Sequence, residues 1–120
     1  MLTRFLKCVM PLGFVFLFIG LTVNLSYARP PSQLDLKYDS KAKVLTVYIV
    51  HATINPQKHF IRVIHISKNV EEPIKYNYNR QPSNREFQYE YPIDLKSKDT
   101  VTVKAFCSDA GIKETTLVIP

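Results

Sequence analysis

From residue 34 onward, apolar and polar residues alternate with a period of two along most of this chain. That is the spacing of a strand with one face in a core and the other in water. Residues 34–38 alternate, and Asp39-Ser40-Lys41-Ala42 reads as a turn. Residues 44–51 form a long β-branched run with Leu45, Val47, Ile49 and His51 on one face. A polar turn centred on Asn55 and Pro56 leads into residues 60–67, where His59, Ile61, Val63 and His65 fall on one side. Residues 74–79 make a shorter, more polar strand, and residues 87–91 send aromatics one way and Gln88 and Glu90 the other. Residues 100–106 line up Val101, Val103 and Ala105 with Cys107, and residues 114–119 close the pattern.

No stretch has the 3.6-residue period of an amphipathic helix over a useful length. Short strands recurring about every 12 residues predict an all-β fold, a seven-stranded immunoglobulin-like antiparallel β-sandwich. Its expected core contains Leu45, Val47, Ile49, Ile61, Val63, Val101 and Val103. The disulfide and buried tryptophan of true immunoglobulin domains are absent from the sequence.

The first residues break this pattern. Arg4 and Lys7 precede an apolar run over residues 8–25, which ends on Ser26-Tyr27-Ala28. A basic start, an apolar middle and a small-x-small end predict a signal peptide over residues 1–28, with export to the periplasm or the medium. An uncleaved anchor is the alternative, because the run approaches the ~18 apolar residues that can span a bilayer. Pro11, Gly13 and Gly20 weaken such a helix, and Arg29-Pro30-Pro31 makes a natural new start. Cleavage leaves one domain, residues 29–120, with no stable membrane span.

Arg4 and Lys7 would leave with the leader and no acid would, giving the remaining chain a net charge of +4. Its lysines and arginines are scattered, without the stripe or motif of a nucleic-acid-binding surface, so no nucleic acid is expected as a partner. Scattered lysines on strand edges and turns keep a small β domain soluble. Small exported domains often rely on disulfides, but without Cys8 this one holds a single cysteine, Cys107. An unpaired thiol in an oxidising compartment calls for an explanation.

Chemistry is sparse. No G-x-S-x-G elbow is present, and no acid stands out to orient a histidine. Glu71-Glu72 before Pro73 reads as an exposed turn, and Gly111 is the only glycine after the leader. The candidate metal ligands are His51, His59 and Cys107, all at strand ends, where the loops of a sandwich converge. Imidazole suits iron, copper and zinc, and a thiolate adds a soft donor. On spacing alone, two polar loop histidines and a small buried cysteine explain the same residues.

The stretch H-A-T-I-N-P-Q-K-H-F-I, followed far downstream by K-A-F-C-S-D-A-G, resembles the superoxide reductase family, the iron-binding domain of desulfoferrodoxin and neelaredoxin. Members carry H-P, a short loop, then H-Y-I or H-H-I, and later A-x-C-N-x-H-G. The resemblance runs over residues 44–119 and implies a seven-stranded immunoglobulin-like sandwich. It also implies iron held by four equatorial histidines and an axial cysteine, with His51, His59 and Cys107 matching three of those five ligands. Ala110 stands where the family has its C-terminal histidine, Ala52 where it has proline, and no histidine or E-K-H motif lies between Arg29 and Val50. Two functions follow as expectations. One is an exported domain binding iron, or copper, through the reduced His/Cys set, served by a protein partner or electron donor. The other is a non-catalytic binding or carrier sandwich that has lost its metal.

Overall fold

The computed structural model describes residues 30–120. The predicted signal peptide, residues 1–28, lies outside the described residues. Seven strands follow in order: β1 Gln33–Asp39, β2 Val44–Val50, β3 Ile61–Lys68, β4 Ile74–Asn77, β5 Glu86–Pro92, β6 Thr100–Cys107 and β7 Ile112–Val118. They form two antiparallel sheets, β1-β2-β5 and β4-β3-β6-β7, facing each other as a β-sandwich. The described residues contain no helix. β7 begins and ends earlier than the alternation indicates, and β4 stops at Asn77.

The alternation is the reason the two sheets can meet. Leu45, Val47 and Ile49 on β2, with Val101, Val103 and Ala105 on β6, are fully buried between the layers. Leu34, Phe87 and Tyr91 extend this core from β1 and β5. At about 25 cal/mol per Å² of apolar surface removed from water, these side chains are the main force joining the sheets. Between β4 and β5 the layers are closed by tyrosines: Tyr78 stacks on Tyr89 with centroids 4.4 Å apart, and Tyr76 meets Tyr91 at the same distance. Hydroxyls of Tyr78 and Tyr91 are hydrogen-bonded at 2.6 Å.

Strand β3 departs from the simple period. Ile61 pairs with Cys107 and Val63 with Phe106, so β3 advances two residues while β6 advances one. This β-bulge leaves Arg62 exposed and reverses the phase after it. Ile61, Ile64 and Ile66 are therefore the core residues, and Val63 is half-buried on the outer face. His65 shares that outer face and packs on Phe106, with ring centroids 4.6 Å apart. The expectation that Ile61, Val63 and His65 share one side is corrected by the bulge. A strict alternation would have placed both Ile64 and Ile66 in water.

Candidate functional site

One end of the sandwich carries the candidate ligands. His51 follows β2 directly, and its N–H donates to the Arg85 carbonyl (2.7 Å), which continues the β2–β5 ladder one residue past the strand. The chain then turns at residues 55–58. Asn55 accepts at its side-chain oxygen from Gln57 N–H (3.1 Å), and its carbonyl accepts from the N–H groups of Lys58 (3.0 Å) and His59 (2.9 Å). An asparagine followed by proline is suited to this, because its amide substitutes for a backbone acceptor while proline fixes φ. His59 thus stands just before β3.

A second turn, after β6, meets the first. Ser108 N–H donates to the Phe60 carbonyl (2.8 Å), Phe60 N–H to Ser108 Oγ (3.2 Å), and Ser108 Oγ–H to the Lys58 carbonyl (3.2 Å). These three bonds clamp the turn after Cys107 against the segment bearing His59. Ala110, with φ of 80°, and the bond from Cys107 N–H to the Gly111 carbonyl (2.8 Å) make the reversal tight. Cys107 is buried, and its Sγ accepts from Asp109 N–H at 3.4 Å.

His51, His59 and Cys107 line one pocket of about 320 Å³, together with Ala52, Thr53, Ile54 and Asp109. Its two histidines differ in setting. His51 is 5% exposed, and its Nδ1 lies 2.6 Å from Gln81 Oε1. The orientation of the Gln81 amide is fixed, because its Nε2 donates to the carbonyls of His51 (3.0 Å) and Ser83 (2.9 Å). Its Oε1 also accepts from Ile61 N–H at 3.1 Å. Nδ1–H of His51 therefore donates to Gln81 Oε1, and Nε2 is the ring nitrogen left over. Nε2 has no hydrogen-bond partner, yet no buried side-chain nitrogen or oxygen among the described residues lacks one. It consequently opens into the pocket.

His59 is half-exposed, and its Nδ1 is paired with the Asp109 carboxylate. Nδ1–H donates to the carboxylate, which again leaves Nε2 as the nitrogen without a hydrogen-bond partner. Holding Nδ1–H with an amide or carboxylate while Nε2 stays bare is the arrangement that metal-binding histidines adopt. Neither Gln81 nor Asp109 stands out in the sequence. Asp109 corrects the expectation that no acid orients a histidine. A glutamine in a polar loop is expected to be exposed, so nothing in the sequence signals the 3% exposure found for Gln81.

The ligand set of a five-coordinate iron centre does not fit. The chain has three histidines, and His65 lies on the outer face of β3 against Phe106, away from the pocket. Desolvation, then the charges of Lys75 and Lys104, hold His65 below the ordinary imidazole pKa. Among the described residues, no three His, Cys, Asp or Glu side chains are already grouped as metal ligands. The pocket brings two imidazoles and a thiol to one space without drawing them into a coordination sphere.

No family model matches the chain, and no curated protein matches it. Among solved structures it is similar to the superoxide reductase (neelaredoxin) from Ignicoccus hospitalis, at 15% identity and a TM-score of 0.47. That match covers 80% of this chain and 84% of the other.

Proposed function

We propose that the protein is an exported β-sandwich that takes up one transition-metal ion through His51 Nε2, His59 Nε2 and the Cys107 thiolate. The observation that carries this reading is the pair of fixed imidazoles. Gln81 and Asp109 each occupy an Nδ1, so Nε2 is the nitrogen each ring has left for a metal at the pocket that Cys107 also lines. Two imidazoles and one thiolate form a borderline-soft set. By the Irving–Williams order, copper binds such donors more tightly than iron or zinc. Half-exposed His59 is the member that moves inward on binding, because His51 and Cys107 are fixed in the core. Iron is the ion that the sequence resemblance implies. With three protein donors and no further histidine at the pocket, fast superoxide reduction is not expected of it. An electron donor or other protein partner belongs to this reading only if the bound ion changes oxidation state.

Titration of Cu(II), Zn(II) and Fe(II) into the protein and into Cys107→Ser, followed by calorimetry and absorption spectroscopy, tests the site. One equivalent should bind the wild type, copper most tightly. Cys107→Ser should lose at least about tenfold in affinity, together with any sulfur-to-copper charge-transfer band. Equal and negligible binding by both would leave the second reading, a binding or carrier module without a metal. That alternative is favoured by the lack of a ready ligand cluster among the described residues. Export is tested separately: the intact mass of the protein from the periplasm or medium should correspond to a chain starting at Arg29. A full-length chain in the membrane fraction would reject it.

A further inference from the structure

The four-stranded sheet ends on β7, a seven-residue strand without proline, glycine or bulge. One side of β7 pairs with β6 over its whole length. Among the described residues no strand pairs with the other side, so alternate backbone N–H and C=O groups there lack a ladder partner. Edge strands of this length are normally shortened, bulged or interrupted by proline, because they invite pairing with another chain. Two charged residues, Lys113 and Glu114, interrupt this one, and Glu114 is drawn towards Lys104 at 3.5 Å.

The side chains of β7 have a further property. Ile112 and Val118, six residues apart and therefore on the same face, are 55% and 61% exposed. Between them on that face lie Glu114 and Thr116. A strand with apolar residues at both ends of one face is self-complementary about its midpoint, Thr115. Antiparallel pairing of two copies about that point sets Ile112 opposite Val118 at each end, and Glu114 opposite Thr116. On the other face Lys113 meets Leu117, and Thr115 meets Thr115. No like charges face each other, which would be unfavourable across a strand pair. A second apolar feature lies at the same edge. A cavity of about 350 Å³ between β1 and β7 is lined by Leu36, Tyr38, Leu117, Ile119 and Pro120, with Lys37 and Ser40.

We propose that β7 is the dimerisation edge of this protein and that its occupant is a second copy of the same strand. The dimer is two-fold symmetric and joins the four-stranded sheets into one sheet of order β4-β3-β6-β7-β7-β6-β3-β4. It is closed, because a two-fold axis through β7 uses that edge in both copies. The pairing does not involve the pocket at His51, His59 and Cys107, so it stands independently of metal binding.

Sedimentation velocity over a concentration range tests it, using the protein as recovered from its exporting host. Wild type should sediment as a dimer at high micromolar concentration and dissociate on dilution. Ile112→Glu and Val118→Lys should each weaken the dimer by at least tenfold. Both positions are exposed, so neither change should disturb the fold, which circular dichroism checks. The two changes combined in one chain should restore the dimer, because the new charges then face each other across the two-fold axis. A wild type that stays monomeric to about 1 mM would overturn the proposal. So would single variants that dimerise as wild type does, or a double variant that is no tighter than the singles. Monomeric protein whose β7 amides become protected only on adding host extract would overturn it in favour of a foreign strand.

Discussion

Gln81 and His51 hold each other from both ends: the Gln81 amide nitrogen donates to the His51 carbonyl at 3.0 Å, and its oxygen meets His51 Nδ1 at 2.6 Å. Side chain and backbone of the histidine are thus fixed by one residue 30 positions away. The same oxygen takes the Ile61 N–H, so the start of β3 is tied to the end of β2 through Gln81.

Gln81→Leu removes both acceptor and donor from this buried point. It leaves the His51 imidazole N–H, the Ile61 N–H and two carbonyls without their partner. Unmet buried groups cost about 1–3 kcal/mol each, so a destabilisation of roughly 3 kcal/mol or more is expected in denaturant unfolding. Gln81→Glu keeps the acceptor but sets a charged oxygen against the His51 and Ser83 carbonyls in a buried site, so it should destabilise as well. A neutral Gln81→Leu would show that water fills the gap without penalty.

Asp109→Asn separates a stability role from a site role. Asp109 and His59 are both more than a third exposed, at 41% and 54% for their side chains. A surface pair of this kind contributes about 0–1 kcal/mol, so the unfolding midpoint should hardly move. If Asp109 orients His59 for a metal, affinity should fall by about 10–100-fold. Metal titration and chemical denaturation on the same variant give both answers.

The bulge in β3 makes a contrast between two valines. Val103 is fully buried, and Val103→Asp should cost more than ~3 kcal/mol by burying an unpaired charge. Val63 points to the outer face and is only half-buried. Val63→Asp should therefore cost well under half as much in the same urea melts. Equal losses would mean that β3 keeps a regular register.

The tyrosines between β4 and β5 predict a loss of stability in base. Burial, then the nearby Tyr78, pushes Tyr89 from 10.0 up to about 12. Tyr91 is also raised, by burial first and then by its bond to Tyr78. The folded state favours the neutral phenols, so their contribution is complete below pH 10, where the unfolded chain begins to ionise. The share of Tyr89 is lost as pH rises from 10 through about 12. Denaturant midpoints measured from pH 9 to 11.5 should fall, and Tyr89→Phe should flatten the slope.

The sequence by itself determined the all-β class, the number of strands and most of the core. Those properties follow from side-chain period, and Leu45, Val47, Ile49, Val101 and Val103 are buried as the alternation requires. It also put His51, His59 and Cys107 at strand ends, and a sandwich gathers strand ends at its poles. Three things were decided only by the tertiary structure. Val63 and His65 face outward because a one-residue bulge reverses the phase of β3, and a bulge forms where two strands pair, so neither strand's own period reveals it. Gln81 and Asp109 reach the histidines across 30 and 50 residues of chain. No local pattern records such contacts, because they depend on how the loops clamp together. The separation of the three donors within one pocket, rather than their meeting at a point, was likewise left to the packing of the two turns. Residue spacing limits which side chains can share an end of the fold, but only the assembled loops set the distance between them.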